Sequence, residues 1–444
     1  MKKDFNILDQ NSSCCDTVTD CCSPENKMPV AIIGGGPIGL AAASQLSARN
    51  ISFMLFEKGD DIGANIRSWE HVTLFSPWQY NIDAAAKELL KQSGWKEPFG
   101  EELPTGRELI DQYLKPLSEL NKLKESIHTN HQVVAITRKS LDKMKTKNRN
   151  QQPFLLYVET AGKVMTFEAR AVLDATGTWG NPNPAMGNGV WLPNEKSLSL
   201  KMDYHIPDVK ANSELYESKK IAVIGGGHSA IHSLLNLAKL QEKVPTTEIT
   251  WILRKKHVDL AYGGEQNDEL PERGALGARI RELVEQGKVK VVTPFSITTL
   301  KENNLGKISI IGIYGDNELT LDSFDRLIVN TGSRPDFSMN SELRLNIDPT
   351  TESVTALAPL IDPNEHSCGT VRPHGEQELR QPEKDFYIVG AKSYGRAPTF
   401  LLATGYEQVR SIVAYLAGDM KSAQLVQLNL PETGVCKSGL SGCC

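Results

Sequence analysis

Between residues 28 and 430 the chain carries one cysteine, Cys368, although the whole sequence has eight. A body so poor in thiol excludes a disulfide framework there, and equally the CxxC or CxxxxC pair through which disulfide reductases pass electrons. Long apolar runs are missing too: none reaches the roughly 20 residues needed to span a bilayer. The start, Met1-Lys2-Lys3-Asp4-Phe5-Asn6, has no apolar stretch behind its lysines and so is not a secretory signal. Nor is there an excess of positive charge. Lys and Arg number 49 against 54 Asp and Glu, a formal net charge of -5, and the basic residues are dispersed, which argues against a nucleic-acid surface. These absences predict a cytoplasmic protein with neither nucleic acid nor membrane as partner; monomer and homodimer both stay open. Its 444 residues suffice for about two to three domains with a large core.

What is present is organised around Gly34-Gly35-Gly36-Pro37-Ile38-Gly39. An apolar run, Val30–Ile33, precedes it and the small residues Leu40–Ala43 follow, the strand–turn–helix opening of a dinucleotide-binding βαβ unit. Gly34 makes the tight turn, Gly36 lets the backbone approach a diphosphate, and Gly39 lets the helix lie close to the strand. The diphosphate then meets free N–H groups at the positive end of the helix. A second apolar run, Ser52–Phe56, ends at Glu57, where an acid is expected to grip a ribose.

Further along, helices are expected over about 82–91 and 107–119, the latter capped by Thr105. Residues 132–137, 154–159 and 163–167 read as strands, the last two paired in a small antiparallel sheet. Ala171–Ala175 is a buried strand closing on the Thr176-Gly177 turn. Residues 180–207, rich in Gly, Pro and Asn, read as a linker. The pattern then restarts. Lys220–Ile224 is a strand, Gly225-Gly226-Gly227-His228-Ser229-Ala230 a glycine loop, and the helix behind it runs to about Leu240. The next strand, Glu248–Leu253, ends in Arg254-Lys255-Lys256. Asn330-Thr331-Gly332 echoes Ala175-Thr176-Gly177, and the last unit is Phe386–Gly390 followed by a helix over 399–416.

Two glycine loops imply two dinucleotides, and the ends of their second strands differ. Glu57 suits a free ribose hydroxyl and would repel a phosphate; Arg254 and Lys255 offer cations to a 2′-phosphate. The first site therefore suits FAD, on Gly34, Gly36, Pro37, Ile38, Gly39, Glu57 and Lys58, with Thr176 and Gly177 on the returning strand. The second suits NADPH, on Gly225, Gly227, His228, Ser229, Ala230, Arg254, Lys255 and Gly332. His228 and His232 stand four apart on the same helix, but His228 belongs to the loop and no metal site is assigned.

On these motifs, over about residues 29–420, the chain resembles the two-dinucleotide flavoproteins, and within them the flavin-containing monooxygenases. The resemblance implies an α/β fold of two Rossmann-like domains, the NADPH domain inserted in the FAD domain. The implied boundaries are 28–210 and 333–425 for the FAD domain and 211–332 for the NADPH domain, with flexible cysteine-bearing segments at 1–27 and 426–444. It would place Val134 near the adenine, Arg67 and Trp78 near the flavin ring, and Gly390 with the Thr399 end of the last helix near the pyrimidine edge. One departure stands out. The monooxygenase fingerprint before the second glycine loop, Phe-x-Gly followed by His, is replaced by Tyr204-His205-Ile206-Pro207.

With no thiol pair in the body, reduced flavin is expected to give its electrons to oxygen, and a C4a-hydroperoxide would transfer an oxygen atom to a lone pair. That chemistry belongs to the cofactor and needs no protein acid–base dyad. The remaining cysteines include three adjacent pairs, Cys14-Cys15, Cys21-Cys22 and Cys443-Cys444. Adjacent cysteines are poor structural disulfides, but paired thiolates bind soft ions such as trivalent arsenic and antimony, which carry the lone pair required. In this the chain resembles the NADPH-dependent flavin monooxygenases of arsenic and antimony resistance. The implied substrates are trivalent metalloids (organoarsenicals such as methylarsenite, antimonite, arsenite) and O2, with the six paired cysteines and Cys368 as substrate contacts. Two other readings stay open: a metalloid or disulfide reductase that relays electrons through the terminal pairs, and a flavoprotein that binds metalloid without turnover.

Overall fold

The computed structural model describes residues 28–263, 271–362, 371–398 and 400–428. All eight cysteines, and with them every expected metalloid contact, lie outside the described residues, as does Thr399.

Two parallel sheets carry the architecture. In the first, β1 (Val30–Ile33) is followed by helix α1 (Pro37–Ala48), β2 (Phe53–Phe56) and, much later, β3 (Ala171–Asp174). β1 is central, with β2 and β3 parallel on either side. Phe386–Ile388 lies outside β3 and Ile127–His128 outside β2. All four residues of β1 are buried, the near-continuous apolar run of a strand covered on both faces. α1 is buried from Ile38 to Leu46 with no polar face, because Ala41, Ala42 and Ala43 are small enough to pack between the sheet and its helical neighbours.

The second sheet repeats the plan with β4 (Lys220–Ile224), helix α2 (His228–Lys243), β5 (Glu248–Ile252) and β6 (Arg326–Val329). β4 is again central, between β5 and β6, and Lys290–Val292 pairs with β5. Its far edge is Met202–Asp203, paired with β6, so this unit draws on residues well before the expected boundary at 211. A three-stranded antiparallel sheet, 295–302, 308–314 and 317–324, is attached to this unit, and another, 132–138, 154–160 and 163–169, to the first. The chain then returns to the first sheet and ends its regular structure with α3 (Leu402–Leu416), which packs on α1. α3 begins three residues later than the sequence reading placed it. No helix among the described residues is long and apolar enough to cross a membrane.

Thr105 and Glu108 form a reciprocal capping box at the start of the helical stretch 106–118. That stretch is not uniformly α-helical: Leu109–Leu114 is wound as a π-helix.

Candidate functional site

At the carboxyl ends of β1 and β3 the first glycine loop has the geometry its spacing implies. Gly34 has φ +104°, and a Cβ there would stand 2.7 Å from the Ala175 carbonyl oxygen. A Cβ on Gly39 would lie 1.9 Å from the carbonyl oxygen of Gly34, so only glycine lets α1 approach β1 this closely. On Gly36 it would meet nothing within 4 Å. The loop is thus packed against protein at its two ends and open in the middle, where a diphosphate belongs. No side chain caps α1 and its first turn has no acid, which leaves its N–H groups to a ligand.

Beside the loop is a cavity of about 260 Å³ lined by Glu57, Lys58, Val134, Thr176 and Gly177 among others. Glu57 is buried and holds the loop, accepting from Gly35 N at 2.7 Å and Gly59 N at 2.8 Å. A carboxylate has about four lone-pair positions, so capacity for a ribose hydroxyl remains. Val134 sits where the register slips between Val133 and Ala135, so its main chain leaves the ladder at the cavity wall.

The floor holds a buried network that the sequence reading missed. Lys392 Nζ donates to Asp174 Oδ2 at 2.7 Å and Thr176 Oγ1 at 3.0 Å, and Asn340 Nδ2 donates to Asp174 Oδ2 at 2.9 Å. Asp174, Asn340 and Lys392 are each at most 1 % exposed. Asp336, also on the wall, is held below the usual carboxylate range by the Ser338 N–H, with Lys392 and Lys58 adding to the effect.

Gly390 is tied to Gln408, its N–H donating to Oε1 at 2.7 Å. A Cβ on Gly390 would come 3.1 Å from Ile38 Cγ1, and on Gly405, in the first turn of α3, 2.4 Å from Ile38 Cδ1. Ile38 therefore brings the amino ends of α1 and α3 together, two positive helix ends facing one region. Pro37, at the first turn of α1, lines neither cavity.

Two residues assigned to the flavin ring by resemblance lie outside the lining of this cavity. Arg67 pairs through its guanidinium with Glu70 at 3.2 Å and Asp111 at 3.1 Å. Trp78 is 3 % exposed within the apolar core, so it offers almost no surface to a ring.

The second loop repeats the construction. Gly225 has φ +132°, and a Cβ there would fall 2.1 Å from Asn330 O, whereas Gly227 again faces open space. Ala230, fully buried, takes the place of the third glycine. A larger cavity of about 660 Å³ adjoins it, lined by Gly225–Gly227, segment 183–189, Arg254, Lys255, Gly332 and, from the far end of the chain, Arg396. Arg254 Nη1 donates to Gly187 O at 2.6 Å, and Lys255 Nζ to Leu260 O. His228 and Ser229 head α2 without lining the cavity. The His228 ring lies 5.8 Å from that of Phe75, and burial pushes His232 below the usual imidazole range. No group of three or more His, Cys, Asp or Glu that could hold a metal occurs among the described residues.

Tyr204 and His205 both have structural partners. Tyr204 OH donates to Glu195 Oε1 at 3.0 Å, and the same oxygen accepts from Ala185 N at 2.7 Å, fixing one wall of the second cavity. Burial raises both the Glu195 carboxyl and the Tyr204 hydroxyl. His205 stacks on Trp179, centroids 3.9 Å apart and planes at 13°.

The family described as pyridine nucleotide-disulphide oxidoreductase matches residues 31–359. Among curated proteins, the ferredoxin–NADP reductase of Lactiplantibacillus plantarum is 26% identical over 305 residues, 68% of this chain and 72% of that protein. Among solved structures, the bacillithiol disulfide reductase Bdr of Bacillus cereus superposes with TM-score 0.65 at 18% identity, covering 88% of this chain and 99% of that one. The FAD-bound cadaverine monooxygenase DfoA of Erwinia amylovora gives 0.62 at 13%, covering 91% and 98%. At such identities the structural likeness speaks for the fold, two nucleotide-binding units joined in one chain.

Proposed function

The chain belongs to the pyridine nucleotide-disulphide oxidoreductase family, and from that premise we propose that it is an NADPH-dependent flavin monooxygenase that oxidises trivalent metalloids to pentavalent forms. It is an FAD-containing, NADPH-dependent oxidoreductase. FAD suits the first glycine loop together with the cavity beside it: the open space at Gly36, the uncapped end of α1, the Glu57 carboxylate and the freed main chain at Val134 suit diphosphate, ribose and base in turn. NADPH fits the second, where the loop around Gly227 offers the diphosphate a cradle and Arg254 and Lys255 stand at the end of β5 for a 2′-phosphate. The bound flavin supplies hydride acceptance and oxygen activation. This chain's own residues bind, orient and enclose. Glu57 fixes the loop, Lys392 and Asp174 make a rigid floor, and Arg254 braces the wall at Gly187.

The observation that carries the metalloid reading is the distribution of cysteine: three adjacent pairs in the terminal segments, one thiol between residues 28 and 430. Electrons have no paired thiol to leave through in the body, and the terminal pairs are soft ligands suited to arsenic and antimony. Methylarsenite, antimonite and arsenite are the substrates to test. The test is NADPH consumption with and without oxygen on each of the three, reading the product's oxidation state. Oxygen-dependent formation of the pentavalent product supports the reading. Oxygen-independent turnover would replace it with a reductase, which the ferredoxin–NADP reductases among the relatives keep in view.

A further inference from the structure

Three cations line the second cavity, and no carboxylate does among the described residues. Two of them come from the end of β5 and each donates to a main-chain carbonyl, Arg254 to Gly187 and Lys255 to Leu260. The third, Arg396, comes from the other unit. It lies between the strand Phe386–Ile388, in the first sheet, and α3. Its side chain is exposed and has no hydrogen-bond or ion-pair partner among the described residues.

The backbone that presents Arg396 is firmly placed. Ser393 and Tyr394 are at most 1 % exposed. Gly395 turns with φ +61°, and a Cβ there would stand 2.2 Å from Thr351 O. Arg396 N then donates to that same carbonyl at 2.8 Å. The neighbouring acid, Glu352, is already paired with Arg334, so it does not draw Arg396 away. A guanidinium with no partner among the described residues thus emerges from a locked turn into a cationic cavity whose floor is a glycine loop at a helix amino end. That is an anion receptor whose backbone anchor is set before the ligand arrives and whose side chain remains free to reach it.

We infer that Arg396 grips the diphosphate of the pyridine nucleotide, so that the nucleotide is held from both units at once. The inference rests on the pyridine-nucleotide assignment of this cavity. The diphosphate is the group in question because Arg254 and Lys255 already occupy the end of β5, where the adenosine ribose and its 2′-phosphate are read. Arg396 acts as a positioning residue: a nucleotide clamped across the two units has its reactive end fixed relative to the first cavity.

The test compares the FAD-loaded wild type with Arg396→Ala and Arg396→Lys. Binding of NADP+ and of NAD+ is measured by calorimetry at low and high salt, and flavin reduction by stopped flow with NADPH and NADH. Arg396→Ala should weaken both oxidised nucleotides by a similar factor, roughly tenfold to a hundredfold, the size expected of a charge-assisted hydrogen bond. FAD content and melting temperature should stay at wild-type values. Arg396→Lys should recover part of the loss, and high salt should narrow the gap between Ala and wild type. Unchanged binding in Arg396→Ala overturns the inference. So does a loss confined to NADP+ and NADPH, which would put Arg396 on the 2′-phosphate. A wild type that binds neither nucleotide would overturn the cavity assignment beneath it, and the two failures are told apart by the wild-type titration alone.

Discussion

Replacing Gly36 with valine should separate cofactor binding from folding. A Cβ at this position meets no protein atom within 4 Å, and the backbone there, φ -83° and ψ -173°, is extended and open to any residue. The substitution therefore costs the protein little on its own account. The side chain instead fills the space over the amino end of α1 that a diphosphate needs. Loss of two charge-assisted hydrogen bonds, at about 1.5–3 kcal/mol each, amounts to about 3–6 kcal/mol, or roughly a hundredfold to ten-thousandfold in FAD affinity. The assay is the ratio of flavin to protein absorbance after purification, followed by FAD titration of the stripped protein. Because a ligand stabilises the state it binds, the variant should melt where stripped wild type melts, below the loaded enzyme. Gly39→Ala is the contrast: its Cβ collides with Gly34 O at 1.9 Å, so it should lower the melting temperature with or without FAD. Full flavin retention in Gly36→Val would refute the placement of the diphosphate. Unfolding of Gly36→Val beyond stripped wild type would refute the claim that the loop is open there.

Arg254→Ala should weaken NADPH by roughly tenfold to a hundredfold and NADH much less; equal losses would mean that the bond to Gly187 O, bracing the cavity wall, is its main contribution. Asp83, buried at the amino end of helix Ala84–Lys91, has its carboxyl pushed up to about 6 by burial, against the opposing hydrogen bonds from Ala86 N and Gln45. A raised folded-state value favours the protonated form, so its contribution is full below the unfolded value near pH 4 and is lost as pH rises through about 6. The loss is about 3 kcal/mol at most, at 1.36 kcal/mol per unit. Urea midpoints from pH 4 to 7 should therefore fall with pH in wild type relative to Asp83→Asn, which keeps the cap; parallel profiles would disprove the assignment. Serine at Cys14, Cys15, Cys21, Cys22, Cys443 and Cys444 should spare FAD content and flavin reduction while lowering metalloid oxidation chiefly at low substrate, since a tethered ligand site raises local concentration. Rate curves that superimpose on wild type would show that the pairs have no part in capture.

The parts of this molecule legible from its sequence are those fixed by local sterics. Gly34, Gly39 and Gly225 are required by contacts with backbone at the next strand end or within the same turn, whatever the ligand, so their spacing identifies both nucleotide-binding units. Glu57 is legible because it closes the strand beside the loop it holds. The antiparallel strands at 295–324 went unread for a physical reason. The ladder slips between Ile297 and Thr299, so the alternation shifts phase and Phe295, Ile297 and Leu300 do not keep a period of two. Side chains with distant partners were harder still. Lys392 meets Asp174 from 218 positions away, and only because the sheet order sets Phe386–Ile388 against β3. Resemblance assigns Arg67 and Trp78 to the flavin by position alone; what the structure adds is that Arg67 pairs with Glu70 and Asp111 and that the Trp78 indole lies in the core. The same distinction governs Arg396. Nothing in its neighbourhood along the chain marks it as nucleotide-binding; the locked turn at Gly395 aims it from one unit into the cavity of the other. Main-chain sterics made both cradles readable, and long-range topology decides which cations stand over them.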